Sequence, residues 1–261
     1  MKRLFFTLFF IFLAAVCYAN PFMATVVQQQ TCVATETPET SCADSIDNDC
    51  DGLVDGADSD CGTPVEITFQ DGVDSYAGTI DTYIVQDATT TNYGTSATSH
   101  SRAANGGGYI RNILISFDLS SITGPVTVTN ATLSILRGGT HDGDTTCSAY
   151  RLLRNWVETE ATWNVYSTGN SWSTAGAAYN NADRDVDLSA AVILDTIGDL
   201  EWKDFSSAQL AADVQDMINN GSNYGWVLFL NTSPVAWHVF VSSEDVTTTN
   251  RPKLTITYTV D

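Results

Sequence analysis

Alternating apolar and polar positions dominate the chain from Val65 onward. Leu254, Ile256, Tyr258 and Val260 alternate with Lys253, Thr255, Thr257 and Thr259. Successive strand side chains point to opposite faces, so the apolar row is expected on a core. β-Branched and aromatic runs bounded by Gly, Asn, Asp and Ser clusters predict strands over Glu66–Phe69, Thr82–Val85, Asn112–Leu119, Ala131–Leu136, Ala149–Leu153, Trp226–Asn231, His238–Ser242 and Lys253–Val260. One segment carries a helical period: Leu210, Val214, Met217 and Ile218 form a stripe, Ser206 with Gln209 makes a capping box, and Gly221 fits the stop. Many short strands with one short helix predict an all-β jelly-roll sandwich over residues 65–261.

The pattern upstream is different. Lys2 and Arg3 precede an almost unbroken apolar run from Leu4 to Val16, and Cys17-Tyr18-Ala19 ends it with small residues where signal peptidase needs them. Residues 1–19 therefore read as a secretory signal peptide. This run is shorter than the roughly 20 apolar residues that cross a bilayer, and no later run approaches that length. An extracellular product, secreted or held at the cell surface and without a membrane span, is the expectation. Asn20 to Pro64 has nine acids and no Lys or Arg. It divides into a linker over 20–41 and a Cys/Asp-rich segment over 42–61.

Charge narrows the function classes. Eleven Lys and Arg stand against 31 Asp and Glu, a net charge of −20, and loss of Lys2 and Arg3 with the signal peptide leaves the mature chain at −22. Such a chain is excluded as a general nucleic-acid binder. Six Trp, ten Tyr and eleven Phe supply the bulk for one large core.

Of the cysteines beyond Cys17, four (Cys32, Cys42, Cys50 and Cys61) lie within thirty residues of one another, and Cys147 stands apart. In an oxidising compartment the four read as two local disulfides, with three pairings open and Cys147 left over, buried or unpaired.

The same segment carries the strongest chemical signal. Asp47, Asp49, Asp51, Asp55 and Asp58 occupy loop positions one, three, five, nine and twelve, Gly52 sits at position six, and the Leu53 carbonyl is available at seven. This is the spacing of a calcium loop: alternate side chains converge on one ion and Gly permits the sharp turn. Hard oxygen ligands without His or Met favour calcium as the cofactor. Asp58 replaces the usual Glu, so affinity in the extracellular range is expected. The bland alternative is an acidic, disulfide-linked spacer. The run from Cys42 through Asp47-Asn48-Asp49-Cys50-Asp51-Gly52 to Asp58-Ser59-Asp60-Cys61 resembles the metal-binding repeat named after the bacterial surface protein MopE. Gly56 stands where that repeat commonly has a further cysteine, and the resemblance makes Cys32 the substitute partner.

In the larger region Asp81-Thr82-Tyr83-Ile84, Asn92-Tyr93-Gly94, Arg111 to Ile122, Ala131-Thr132-Leu133, Tyr150-Arg151, Asn155-Trp156-Val157-Glu158 to Asn164, Asn223-Tyr224-Gly225, Phe240 to Glu244 and Arg251-Pro252-Lys253-Leu254 follow in order. Together they resemble the DNRLRE domain, related to carbohydrate-binding module family 96, over roughly Asp81 to Tyr258. The resemblance implies a secreted jelly roll that accompanies polysaccharide-degrading enzymes or cell-surface proteins, with some members binding alginate. Ser116 departs from it, standing where a basic residue commonly precedes Phe-Asp-Leu.

A sugar-binding surface needs aromatic faces and, for uronates, guanidinium groups. Trp156 and Trp163, inside the motif, read as core anchors, while Trp172 in a Ser/Gly/Asn loop is the candidate stacking residue. Arg111, Arg137 and Arg151 are the candidate cations, and with Arg102, Arg154 and Arg184 they are among just nine basic residues of the mature chain. Glu158 and Glu160 would share one side of an extended strand, a poor arrangement for glycoside hydrolysis. Asp183, Asp185 and Asp187 would share a strand face as a second cation candidate. No Gly-x-Ser-x-Gly or His-Glu-x-x-His motif occurs. The function expected is non-catalytic polysaccharide binding with a calcium-holding loop. The alternative is a structural or adhesive surface protein that self-associates or packs on a matrix partner.

Overall fold

The computed structural model describes residues 32–36, 44–55, 58, 62–104, 109–139, 143–178, 180–195, 200–231 and 235–260. Outside these lie the expected signal peptide, residues 20–41 apart from 32–36, and Cys42 and Cys61. The elements are β1 (Val65–Gln70), β2 (Thr79–Val85), β3 (Thr98–Ala104), β4 (Arg111–Phe117), β5 (Val126–Arg137), β6 (Thr145–Arg151), β7 (Val165–Ser167), β8 (Asn170–Ser171), β9 (Ala190–Leu194), β10 (Glu201–Ser206), α1 (Ala208–Asn220), β11 (Trp226–Asn231), β12 (Val235–Val241) and β13 (Lys253–Val260).

Every strand pairing is antiparallel, along the path β1-β13-β5-β12-β3-β4-β11-β6-β9, with β10 also on β5 and β2 also on β4. Two joints in this path are single residue pairs, Phe240 with Arg137 and Arg102 with Arg111. The main core draws Leu133 and Ile135 from β5, Leu254 and Ile256 from β13, and Phe240 from β12. Against them pack Ile113, Ile115 and Phe117 of β4 with Trp226 and Leu228 of β11. The result is the expected all-β sandwich with one helix, two apolar inner faces interdigitating. Along β13 the expected row holds at Leu254 and Ile256, but the register shifts between Thr257 and Tyr258, and Val260 is exposed.

The helix starts one residue later than its capping box predicts. Ser206 still belongs to β10, where its hydroxyl donates to the Ala131 carbonyl. Ser207, in extended backbone, accepts from the Leu210 N–H at 3.0 Å. Gln209 then falls at the second helical position and donates to Asp213 instead. Leu210, Val214 and Met217 are buried, and Gly221 ends the helix with φ 67° and its N–H on the Met217 carbonyl.

A second apolar cluster covers the outer face of β2, β4 and β11. Ile84, Leu114 and Val227 are sealed there by Trp156, Trp163, Trp172 and Ala177, all from the segment between β6 and β9. Gly225, just before β11, has φ 67°, and a Cβ on it would overlap the Ile115 carbonyl. The Asn223-Tyr224-Gly225 motif thus serves this close approach.

Candidate functional site

The acidic loop is closed at one end by a disulfide between Cys32 and Cys50, with Cα atoms 5.6 Å apart. Cys147 is free and buried. Asp47, Asp49 and Asp51 can each bring a carboxylate oxygen within 4.8 Å of the other two. Their remaining bonds shape the turn: Asp47 Oδ2 accepts from the Gly52 N–H, Asp49 from Asp51 and Asp51 from Leu53. Asp47 Oδ1 is buried without a hydrogen-bond partner. Gly52 takes φ 100°, the conformation its place in the loop demands. Asp55 does not join the three. Its carboxylate accepts from the backbone N–H groups of Asp44 and Ser45, holding the loop entrance. Asp58 is buried and donates its N–H to the Asp55 carbonyl. The donor set fits a hard cation through Asp47, Asp49 and Asp51.

Three candidate ligand residues of the larger domain are not placed for contact. Trp172 is 5% exposed, and its indole N–H donates to the Thr162 carbonyl, so its polar-looking loop folds over the outer cluster and buries the ring. Arg137 is 0% exposed and is held by Asp195 and Glu201, beside Lys203. Arg151 pairs with Asp216 of α1. Arg184 lies over Tyr150 at 3.9 Å, and Arg154 reaches Asp183. Asp183 is itself fully buried off any strand, where it accepts from the Ser173 and Thr174 N–H groups, so it does not share a face with Asp185 and Asp187 as expected. Glu158 and Glu160 lie in a turn rather than a strand. Glu160 accepts from the Thr168 N–H, away from Glu158.

Arg111 belongs to a different arrangement, at the joint between β3, β4 and β12. The β3–β12 register sets Trp237 opposite Arg102, with His100 two residues along β3, and Arg102 in turn opposes Arg111. Directly opposed residues share a face of the sheet. Trp237 donates its indole N–H to His100 Nδ1 at 3.2 Å, and Arg111 Nη1 reaches the same nitrogen at 3.4 Å. The indole and imidazole planes lie within 16°, with centroids 5.9 Å apart. The N–H···N bond therefore joins two near-parallel rings and sets the orientation of one against the other. Tyr83 packs on His100 at 4.8 Å and stacks on Tyr93 at 4.3 Å. Arg102 lies 5.7 Å from the centroid of Tyr109, a ring 45% exposed.

None of the ion pairs among the described residues uses Arg102 or Arg111. Burial and the neighbouring Arg111 cation push His100 down to about 4, so its imidazole is neutral at physiological pH.

Next to this patch lies a cluster of three acids, one buried and two half-buried. Asp81 of β2, Glu158 and Glu244 bring carboxylate oxygens within 4.8 Å of one another. Asp81 accepts from Ser99 Oγ at 2.7 Å and from the N–H and hydroxyl of Ser243 at 2.8 and 2.6 Å. Its own N–H donates to Glu158 at 2.9 Å. Burial raises all three acids above the ordinary carboxylate range, Glu158 to about 7. Neutral donors hold the cluster together, and Glu158 is the member placed to exchange a proton near neutral pH.

Sequence reasoning missed Trp237, His100, Tyr109 and the meeting of the three acids. The available signal was the alternation of His100 and Arg102 with Ser99 and Ser101, which sets both on one face once β3 is recognised as a strand. The larger domain is similar to a known binding module: the model of carbohydrate-binding module family 96 matches residues 73–165, a stretch that contains β2, β3, β4 and Arg111. Curated proteins offer no match to the chain.

Proposed function

We propose that this protein is a non-catalytic, extracellular polysaccharide-binding protein whose sugar-facing surface is the patch of Trp237, Tyr109, Arg102 and Arg111 assembled around His100. The observation that carries this reading is the pair of arginines without carboxylate partners beside part-exposed aromatic rings, in a chain of net charge −20. Aromatic faces pack on the apolar faces of pyranose rings, and a guanidinium free of internal pairing is available for bidentate contact with a uronate. The ligand class is therefore an acidic polysaccharide such as alginate. The similarity to carbohydrate-binding module family 96 supports a carbohydrate ligand, and the motifs that resemble the DNRLRE domain continue past residue 165 to Tyr258.

The protein's negative field opposes such a polymer at long range. Salt screens it beyond about 8 Å at physiological ionic strength, which leaves recognition to the local patch. Calcium held by Asp47, Asp49 and Asp51, in a segment resembling the MopE-type repeat, is the second part of the proposal. It supplies local order to the acidic loop and a means of bridging two anions.

Affinity electrophoresis of the mature protein through sodium alginate and through a neutral glucan tests the reading. Retardation by alginate that is lost in Trp237→Ala and Arg111→Gln, both still folded, is the expected result. Equal mobility in both gels, with and without calcium, would overturn it. One feature favours the adhesive alternative: β9 ends the strand path and carries Ile193, 73% exposed. Concentration-dependent self-association abolished by Ile193→Lys would support that second reading.

A further inference from the structure

We infer that His100 is the positioning residue of this surface, its neutral Nδ1 holding both the Trp237 indole and the Arg111 guanidinium in place and releasing both when it is protonated. The inference rests on the proposed sugar-binding role of the patch, but its central claim concerns the protein without ligand.

The geometry allows one tautomer. An indole N–H and a guanidinium are donors with no acceptor capacity. Both converge on Nδ1, at 3.2 and 3.4 Å. That nitrogen must carry the lone pair, and the proton sits on Nε2, which lies 3.3 Å from Thr98 Oγ1. The ring is therefore fixed on both edges, by Thr98 on one and by Trp237 with Arg111 on the other, while Tyr83 packs on it. Fixing the imidazole fixes the indole bonded to it, which sets two near-parallel rings from two strands in one orientation. Arg111 is anchored by one nitrogen, leaving the rest of its fork without an internal ion pair.

The charges around the ring act in one direction. Arg111 of β4 is in contact, and Arg102 of β3 is two residues away and opposite Trp237 of β12. Tyr83 of β2, backed by Tyr93, is neutral well above physiological pH, since burial raises the Tyr83 phenol. A proton on Nδ1 would set three donors against one another with no acceptor between them and add a positive charge beside Arg111. The lowered His100 value agrees with this arrangement.

The experiment follows the indole and imidazole nitrogens by NMR in the oxidised mature protein, with Trp237→Phe to identify the Trp237 resonance. The expected result is an Nε2–H tautomer at neutral pH and a Trp237 indole signal that moves in a single step as His100 protonates, at a pH well below an ordinary histidine. Two variants extend it to binding. His100→Asn offers a carbonyl oxygen near the Nδ1 position but does not titrate; His100→Leu offers no acceptor. Alginate retardation should stay within about threefold of wild type in the first and weaken by about tenfold or more in the second, a change of about 1.4 kcal/mol. Unchanged Trp156 and Trp226 indole signals report an intact fold in each variant.

An Nδ1–H tautomer, or a Trp237 signal that ignores the His100 titration, would overturn the inference. So would a folded His100→Leu that binds like wild type. If wild type itself ignores alginate, the proposed function fails while the tautomer and the titration still decide the role of His100.

Discussion

Arg102 and Arg111 face each other across the one residue pair that joins β3 to β4. Like charges directly opposed in an antiparallel pair are unfavourable, by about 0.2–1 kcal/mol relative to neutral neighbours. Here the repulsion persists in a chain with eleven basic residues and 31 acids, any of which could have supplied a carboxylate partner. Stability alone does not account for such a pair, whereas the proposed anionic ligand would. Arg102→Gln should leave urea stability unchanged or raise it by up to about 1 kcal/mol while weakening retardation by alginate. A clear loss of stability would mean that the arginine serves the fold.

The two candidate stacking tryptophans should separate cleanly. Trp172 lies in the outer apolar cluster with its N–H satisfied by Thr162, so Trp172→Ala leaves a cavity and an orphaned carbonyl. A loss of about 3–5 kcal/mol in denaturant unfolding is expected, with any effect on binding following the loss of folded protein. Trp237→Ala, at a part-exposed position, should cost far less stability and abolish the selective retardation. The reverse pattern would return the binding role to Trp172.

These two residues also mark what the sequence can and cannot express. Strands with strong alternation, such as Lys253–Val260, and the helix stripe of Leu210, Val214 and Met217 are legible because burial selects their spacing. β3 is not, since Thr-Ser-His-Ser-Arg-Ala-Ala has few β-branched residues and owes its strand state to pairing with β12. Without β3, His100 and Arg102 cannot be joined to Trp237, which lies more than a hundred residues away in the chain. Trp172 misleads for the opposite reason. Its Ser, Gly and Asn neighbours describe the turn of β7 and β8, not the direction in which the ring points. The acidic loop is legible because its residues are local in sequence. Even so, the position of Asp55 suits a ligand while its carboxylate is spent on the N–H groups of Asp44 and Ser45.

The acid cluster and His100 give stability a pH dependence with two opposed parts. Asp81, Glu158 and Glu244 hold protons more tightly in the folded chain than in the unfolded one, so their contribution is complete in acid and lost as pH rises through about 7 for Glu158. His100 binds its proton less tightly when folded, so its contribution is present above an ordinary histidine value of 6.5 and lost as pH falls toward about 4. In chelator, urea midpoints should therefore rise as the solution is taken from mildly alkaline to just above 6.5, where only the acids act. Glu158→Gln should remove most of that slope, and His100→Asn should remove the fall on the acid side. A Glu158→Gln midpoint with the wild-type slope would place the proton elsewhere.

Calcium binding should follow the geometry of the acidic loop rather than its spacing. Asp47, Asp49 and Asp51 converge, and Asp47 Oδ1 is buried with no internal donor, so Asp47→Asn and Asp51→Asn remove charge where an ion would sit. Each should weaken calcium by about tenfold or more in calorimetric titration, from an initial affinity in the extracellular range of about 10⁻⁴–10⁻³ M. Asp55→Asn keeps an oxygen that can accept from Asp44 and Ser45, and its effect should be several-fold smaller. Reduction of the Cys32–Cys50 bond should weaken calcium without touching a ligand, because the loop between its ends must then be ordered by the ion itself. Equal losses from Asp55→Asn and Asp51→Asn would restore the full five-aspartate loop, and no heat in any form would reduce the segment to a disulfide-linked acidic spacer.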